Sequence, residues 1–361
     1  SEEPQPIYIY ERLDEPTRGM LEDNLARAEG GETAVTFCSG MAAIHAAIAM
    51  LVNAGDRILC HERIYGCTYS LLTNWLPRFG VQTDFVDLTD LSAMKKVLRK
   101  KHKVCLFESP VNPSLELIDI ATVKKLCEPK GTKVVVDNTF ATPFCQRPLE
   151  HGADIVVHSM TKHLSGFGTE MGGVVIAPKS YEPDLFLIRK DFGGMLSSRS
   201  AWPILVYGLP TLELRVKEQQ RTARLVAEML QEHPSVKEVR WPGLDSFRWR
   251  ELAHRQMVDW EGNFAPGTLI YFLLKGNAAQ ARKACERLID YMASKSYAVT
   301  LAVSLGQIRT LIEHPASMTH ATIPVAEQKK HGIDPAGVRL SIGIEDPRDI
   351  LHDLHEALRK S

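Results

Sequence analysis

No stretch of this 361-residue sequence approaches the roughly 18 consecutive apolar residues of a membrane-spanning helix, so no membrane span is expected. Neither sign of charge is in excess: 43 Lys and Arg stand against 44 Asp and Glu, a net charge of −1. That balance lacks the electrostatic footprint of a nucleic-acid binder or of a protein held to an anionic membrane surface. The seven cysteines include no Cys-x-x-Cys pair, which removes zinc-ribbon and thioredoxin-type readings, and no metal site is expected. An odd number of thiols, most of them inside apolar runs such as VCLFES, fits a reducing, cytoplasmic setting. The first residues, SEEPQPIYIY, carry neither the basic nor the apolar region of a secretory signal. Two phosphate-binding signatures are also missing. There is no G-x-x-x-x-G-K-[ST], and GFGTEMGG (166–173) departs from G-x-G-x-x-G.

What the sequence does contain is a series of short, almost continuously apolar runs: 34–40, 57–62, 83–88, 103–109, 133–138, 154–159 and 172–177. Continuous rather than alternating patterning predicts strands buried on both faces, hence a mostly parallel seven-stranded sheet covered by helices. Segments 41–53, 90–101 and 211–232 have helical composition, the second opening on Asp90 as an N-cap. The class is therefore α/β. Beyond residue 210 the alternation thins, and strands are expected at 269–276 and 337–345, helices at 278–294 and 347–359. The expected division is an N-terminal arm over 1–30 that lies on something other than its own core, a large domain over 31–210 and a smaller α/β domain over 211–361.

Polar residues at the C-terminal ends of parallel strands face the crevice where ligands bind. Those ends read Ser39-Gly40, His61-Glu62, Glu108-Ser109, Asp137-Asn138 and Ser159, with Met160-Thr161-Lys162 just beyond. Ser39-Gly40-Met41, where a strand meets an apolar helix, is either an anion site of backbone amides or a plain N-cap serine. Asp137 closes a buried strand, so its carboxylate needs a positive partner: a neighbouring Arg, or the protonated ring nitrogen of a pyridoxal cofactor. Lys162 is either a solvated lysine or a desolvated one, nucleophilic enough for a Schiff base.

As a set, the motifs YERLDEPTRGMLEDNLARAEGGE, FCSGMAAI, IYGCTY, ESPVNP, VVVDNTFATP, ADIVVHSMTKHLSG, SLGQIRTLIEHPASMTH and GVRLSIGIED resemble the pyridoxal-phosphate enzymes of cysteine and methionine metabolism. The resemblance runs from Tyr10 to the final helix. It implies the fold of type I pyridoxal-phosphate transferases, which is aspartate-aminotransferase-like, and pyridoxal 5'-phosphate bound covalently as an aldimine at Lys162. It also implies Asp137 at the ring nitrogen, and a phosphate held by Ser39, the Gly40 and Met41 amides and the Ser159 and Thr161 hydroxyls. Tyr65 would stack on the ring and act as an acid, with a phenol pKa lowered by nearby cations, and Asn112 would lie near the phenolic oxygen. Arg339 would bind the substrate carboxylate, with Ser304 and Cys67 beside the substrate. Tyr10 and Arg12 would reach into a neighbouring subunit's phosphate site, which implies a homotetramer, a dimer of dimers with shared active sites. The chain starts some tens of residues further in than typical members, which leaves room for a trimmed arm.

Three positions bear on the substrate. Residue 303 is Val where cystathionine γ-lyases tend to be acidic, Cys67 resembles methionine γ-lyase, and Arg309 stands where Gly-rich sequence is usual. The expected activity is α,γ-elimination of L-methionine to methanethiol, 2-oxobutanoate and ammonia. The alternatives are a cystathionine lyase, a synthase or acyl-homoserine sulfhydrylase that captures the same intermediate with a thiol, and a catalytically idle scaffold.

Overall fold

All seven apolar runs become strands of one sheet: β1 (Thr33–Phe37), β2 (Arg57–His61), β3 (Gln82–Val86), β4 (Val104–Glu108), β5 (Lys133–Asp137), β6 (Ile155–Ser159) and β7 (Gly173–Ala177). The computed structural model describes residues 8–318 and 333–361. The strand order is β1-β7-β6-β5-β4-β2-β3. From β6 through β5, β4 and β2 to β3 every pairing is parallel. β7 is antiparallel to both of its neighbours, β6 and β1. Two antiparallel steps restore β1 to the direction of β6, so five strand ends that precede candidate site residues share one edge.

Burial explains the continuous apolar runs. Every residue of β1, β4 and β7 is buried. Val135 packs with Ala43, Ile44 and Ala47 of the helix Gly40–Ala49 on one face. Val134 and Val136 pack with Ile118, Ile120 and Val123 on the other.

The structure corrects the expected arm. Residues Pro16–Glu29 form a helix whose N-cap, Glu15, accepts hydrogen bonds from Thr17 N and Arg18 N. Gly30 closes it in the left-handed region, at φ 74°. Its Leu21 and Leu25 are buried with Ala34 of β1 and Val174 and Ile176 of β7. An apolar i, i+4 pair suffices to dock a short helix, but among many charged residues it passes for a polar arm.

A second sheet, ordered β10-β11-β12-β9-β8, follows the long helix Leu212–Glu232. Its strands are β8 (Val236–Arg240), β9 (Leu269–Leu274), β10 (Val299–Leu301), β11 (Thr310–Glu313) and β12 (Gly337–Ser341). The helix buries Val226, Ala227 and Leu230 against Val239 and Trp241. β10 and β11 escape sequence reading because they are short, and edge strand β8 because it exposes Lys237 and Glu238 and so breaks the apolar run. Among the described residues no helix is long and apolar enough to cross a membrane.

Candidate active site

The shared strand edge opens on a cavity of about 450 Å³. Ser39, Gly40 and Met41 follow β1, Tyr65 follows β2, Glu108 and Asp137 end β4 and β5, and Ser159, Thr161 and Lys162 end or follow β6; all of them line it. The second sheet contributes Arg339 from β12, and Val303, Ser304 and Leu305 from the segment before β11.

At one end, Gly40 begins the helix Gly40–Ala49 and Ser39 caps it, its hydroxyl accepting from Ala42 N at 3.2 Å. Ser39 is thus the N-cap of this helix. The Gly40 and Met41 amides still belong to the first turn, which no intrahelical carbonyl satisfies. A Cβ on Gly40 would lie 2.7 Å from Ser159 Cβ, so only glycine permits this approach. Thr161 Oγ1 accepts from Gly172 N at 3.1 Å, which anchors the turn beside it.

Asp137 takes a hydrogen bond from Thr139 N at 3.0 Å, and among the described residues no Arg or Lys forms an ion pair with it. The salt-bridge reading fails. Burial raises the Asp137 carboxyl above its ordinary value, against the Thr139 hydrogen bonds that lower it. Lys162 Nζ donates to Ser304 Oγ at 2.9 Å. Burial, reinforced by the Arg339 cation, lowers the Lys162 amine to about 8, the condition of a nucleophilic amine.

On the wall contributed by the second sheet Arg339 is buried. Its Nη1 donates to Asn112 Oδ1 and its Nη2 to the Ser304 carbonyl, each at 2.9 Å, and Glu313 pairs with it at 3.1 Å. Asn112, expected near a phenolic oxygen, is thus engaged with the arginine. Phe140, Val303 and Leu305 give this side an apolar wall, and Met171, 60% exposed, stands at the mouth.

Two expectations need correction. Burial, followed by the hydrogen bond shared with Cys67, raises the Tyr65 phenol rather than lowering it, because within one chain only Arg339 opposes them. Cys67 is not among the residues lining this cavity: it lines an adjacent apolar one of about 560 Å³, with its sulfur 3.4 Å from Tyr65 Oη. Tyr10 and Arg12 stand outside the cavity of their own chain. Tyr10 is exposed, and Arg12 donates to Lys190 O at 2.6 Å. Arg309 is exposed and off the cavity wall. Sequence reasoning missed Phe140, Met171, Leu305 and Glu313. For Glu313 no sequence signal exists, since it meets Arg339 only through the register of β11 on β12.

The model of the Cys/Met metabolism PLP-dependent enzyme family matches residues 1–359. The chain belongs to that family. It is 40% identical over 356 residues to L-methionine gamma-lyase of Fusobacterium nucleatum subsp. polymorphum, covering 98% of this chain and 86% of that protein. It is 41% identical over 356 residues to L-methionine gamma-lyase of Treponema denticola, covering 98% and 85%. Among solved structures, cystathionine gamma synthase from Xanthomonas oryzae pv. oryzae in complex with cystathionine superposes with a TM-score of 0.91 at 34% identity, over 99% of this chain and 88% of that one. The protein is thus an α/β pyridoxal-phosphate enzyme acting on sulfur amino acids. Its cavity fits that cofactor: a glycine-only cradle at a helix N-terminus, an unpaired Asp137 and a low-pKa lysine on one wall.

Proposed function

We propose that this enzyme eliminates methanethiol from L-methionine, with water releasing 2-oxobutanoate and ammonia. Val303 carries the reading. It stands on the cavity wall, 54% exposed, with Met171 at the same mouth, so the site meets a substrate's distal end with apolar surface rather than with a carboxylate for an ammonium.

In this reading the Gly40 and Met41 amides and the Ser159 and Thr161 hydroxyls hold the phosphate, Asp137 holds the ring nitrogen, and Lys162 is the covalent attachment point. Bound pyridoxal phosphate supplies a sink for the electron pair left at Cα. Arg339 orients the substrate carboxylate, where its planar fork suits two oxygens. Lys162, once released, takes the Cα proton and moves protons at Cβ, a task suited to an amine near 8. Tyr65, whose raised pKa keeps it protonated at neutral pH, gives its proton to the departing sulfur.

Tyr10 and Arg12, outside their own cavity, complete the phosphate site of a neighbouring subunit in a homotetramer built as a dimer of dimers. The seven thiols, free in the structure, support a cytoplasmic setting. The change from the first sheet to the second supports a domain division near residue 210.

The test is release of keto acid and thiol from methionine, cystathionine, homocysteine and cysteine in parallel, with an acyl-homoserine plus thiol as the replacement arm. Methionine should give the highest kcat/KM. A tenfold preference for cystathionine, or product formed only in the replacement arm, overturns the reading.

A further inference from the structure

Glu108 is a buried carboxylate at the mouth of the sheet to which none of the steps above gives a task. It ends β4 directly opposite Asp137 on β5, and both residues line the cavity. Two carboxylates side by side are unfavourable: burial together with Asp137 raises Glu108, while the hydrogen bonds from the Tyr65 and Asn112 amides and the Arg339 cation oppose the rise. The arrangement is nevertheless built with care. Oε1 accepts from Tyr65 N at 2.7 Å, and Oε2 accepts from Asn112 N at 3.1 Å. These amides belong to two different loops, one leading into the helix Gly66–Ser70, the other passing from β4 toward the helix Ile120–Cys127. Asn112 in turn accepts from Arg339 Nη1 at 2.9 Å.

We propose that Glu108 is a positioning residue that sets the Tyr65 ring and the Asn112–Arg339 pair from a single side chain. Both carboxyl oxygens serve as acceptors, one for each loop amide. A glutamine of the same shape has one acceptor oxygen, and its NH2 would face a second N–H donor. One buried amide would then be left without an acceptor, and the loop carrying it would shift. An aspartate keeps two acceptors but is one methylene short. The two substitutions therefore separate acceptor number from reach.

The inference rests on Arg339 binding the substrate carboxylate, so the test measures that directly. Glycine, which has no γ-leaving group, is titrated into the cofactor-loaded enzyme and its dissociation constant is read from the cofactor absorbance. Arg339→Ala should lose glycine binding. Retention of wild-type affinity by that variant would sink the site reading itself. Given that loss, Glu108→Gln should weaken glycine about tenfold and raise KM for the sulfur substrate, with kcat lowered through Tyr65. The melting temperature should move by only a few degrees. Glu108→Asp should recover part of both losses. A role confined to stability would lower the melting temperature while leaving KM and glycine affinity unchanged, and that outcome overturns the proposal. If the Gln variant does not fold, Glu108→Asp decides: a measurable rise in KM and in the glycine dissociation constant supports it, and values within twofold of wild type refute it.

Discussion

Lys162 Nζ lies 2.9 Å from the hydroxyl of Ser304, a non-glycine residue held at φ 96°. The same serine offers its carbonyl to Arg339 Nη2 at 2.9 Å. One strained residue thus joins the lysine at the end of the first sheet to the arginine of the second. Backbone strain of this kind costs on the order of 1–3 kcal/mol and persists only where surrounding structure enforces it. Ser304→Gly should relieve the strain but remove the hydroxyl. Calorimetry should show a melting temperature near or above wild type, while kcat falls by about tenfold as Lys162 loses a charge-assisted hydrogen bond. Unchanged kcat would mean that the contact is incidental.

The Lys162 amine should react as a group near 8 rather than at its ordinary 10.5. Burial favours the neutral amine, so the reactive fraction grows as pH rises through 8 and saturates above it. The rate at which cofactor-free protein takes up pyridoxal phosphate, followed by absorbance, should therefore level off above roughly pH 8 to 9. Borohydride should then fix the label on the peptide carrying Lys162, and Lys162→Ala should fold without turnover. A rate that keeps climbing to pH 10.5 would contradict the lowered value.

Gly40→Ala tests the phosphate cradle. Its Cβ would meet Ser159 Cβ at 2.7 Å, an overlap worth about 1–3 kcal/mol. The dissociation constant for pyridoxal phosphate should rise by roughly 5- to 150-fold, with the far-ultraviolet circular dichroism unchanged. Wild-type cofactor affinity would show that the phosphate sits elsewhere.

A shared site makes two dead proteins complement each other. Arg12→Ala and Lys162→Ala should each be inactive alone, and co-expression should restore part of the activity, because some hybrid sites carry neither lesion. Hybrids as inactive as their parents would place both residues in one chain's site.

Substrate length should matter on an apolar wall. One missing methylene typically costs about 1–3 kcal/mol, or 10–200-fold in kcat/KM, so S-methylcysteine should fall below methionine by that factor. Val303→Glu should narrow the gap between methionine and cystathionine by supplying a carboxylate for the distal ammonium. Competition assays with both substrates would read the change.

The α/β class, the seven strands of the first sheet and the cluster of strand-end residues are legible in the chain. The reason is local: burial on both faces demands continuous apolar runs, and a parallel sheet gathers the residues after those runs on one edge. Asp137 could be found because a buried strand end disfavours a carboxylate, and Gly40 and Lys162 because they follow such strands on the same sheet edge. The helix Pro16–Glu29 and strands β8, β10 and β11 were not legible, since their stability comes from packing partners far along the chain rather than from their own pattern. The tertiary structure alone decided the pairing of Glu313 with Arg339 across β11 and β12, the capture of two loop amides by Glu108, the exclusion of Cys67 from the main cavity and the raised Tyr65 phenol. Each depends on which groups share a buried space, and both pKa and hydrogen-bond choice follow from that enclosure, which residue order along the chain does not encode.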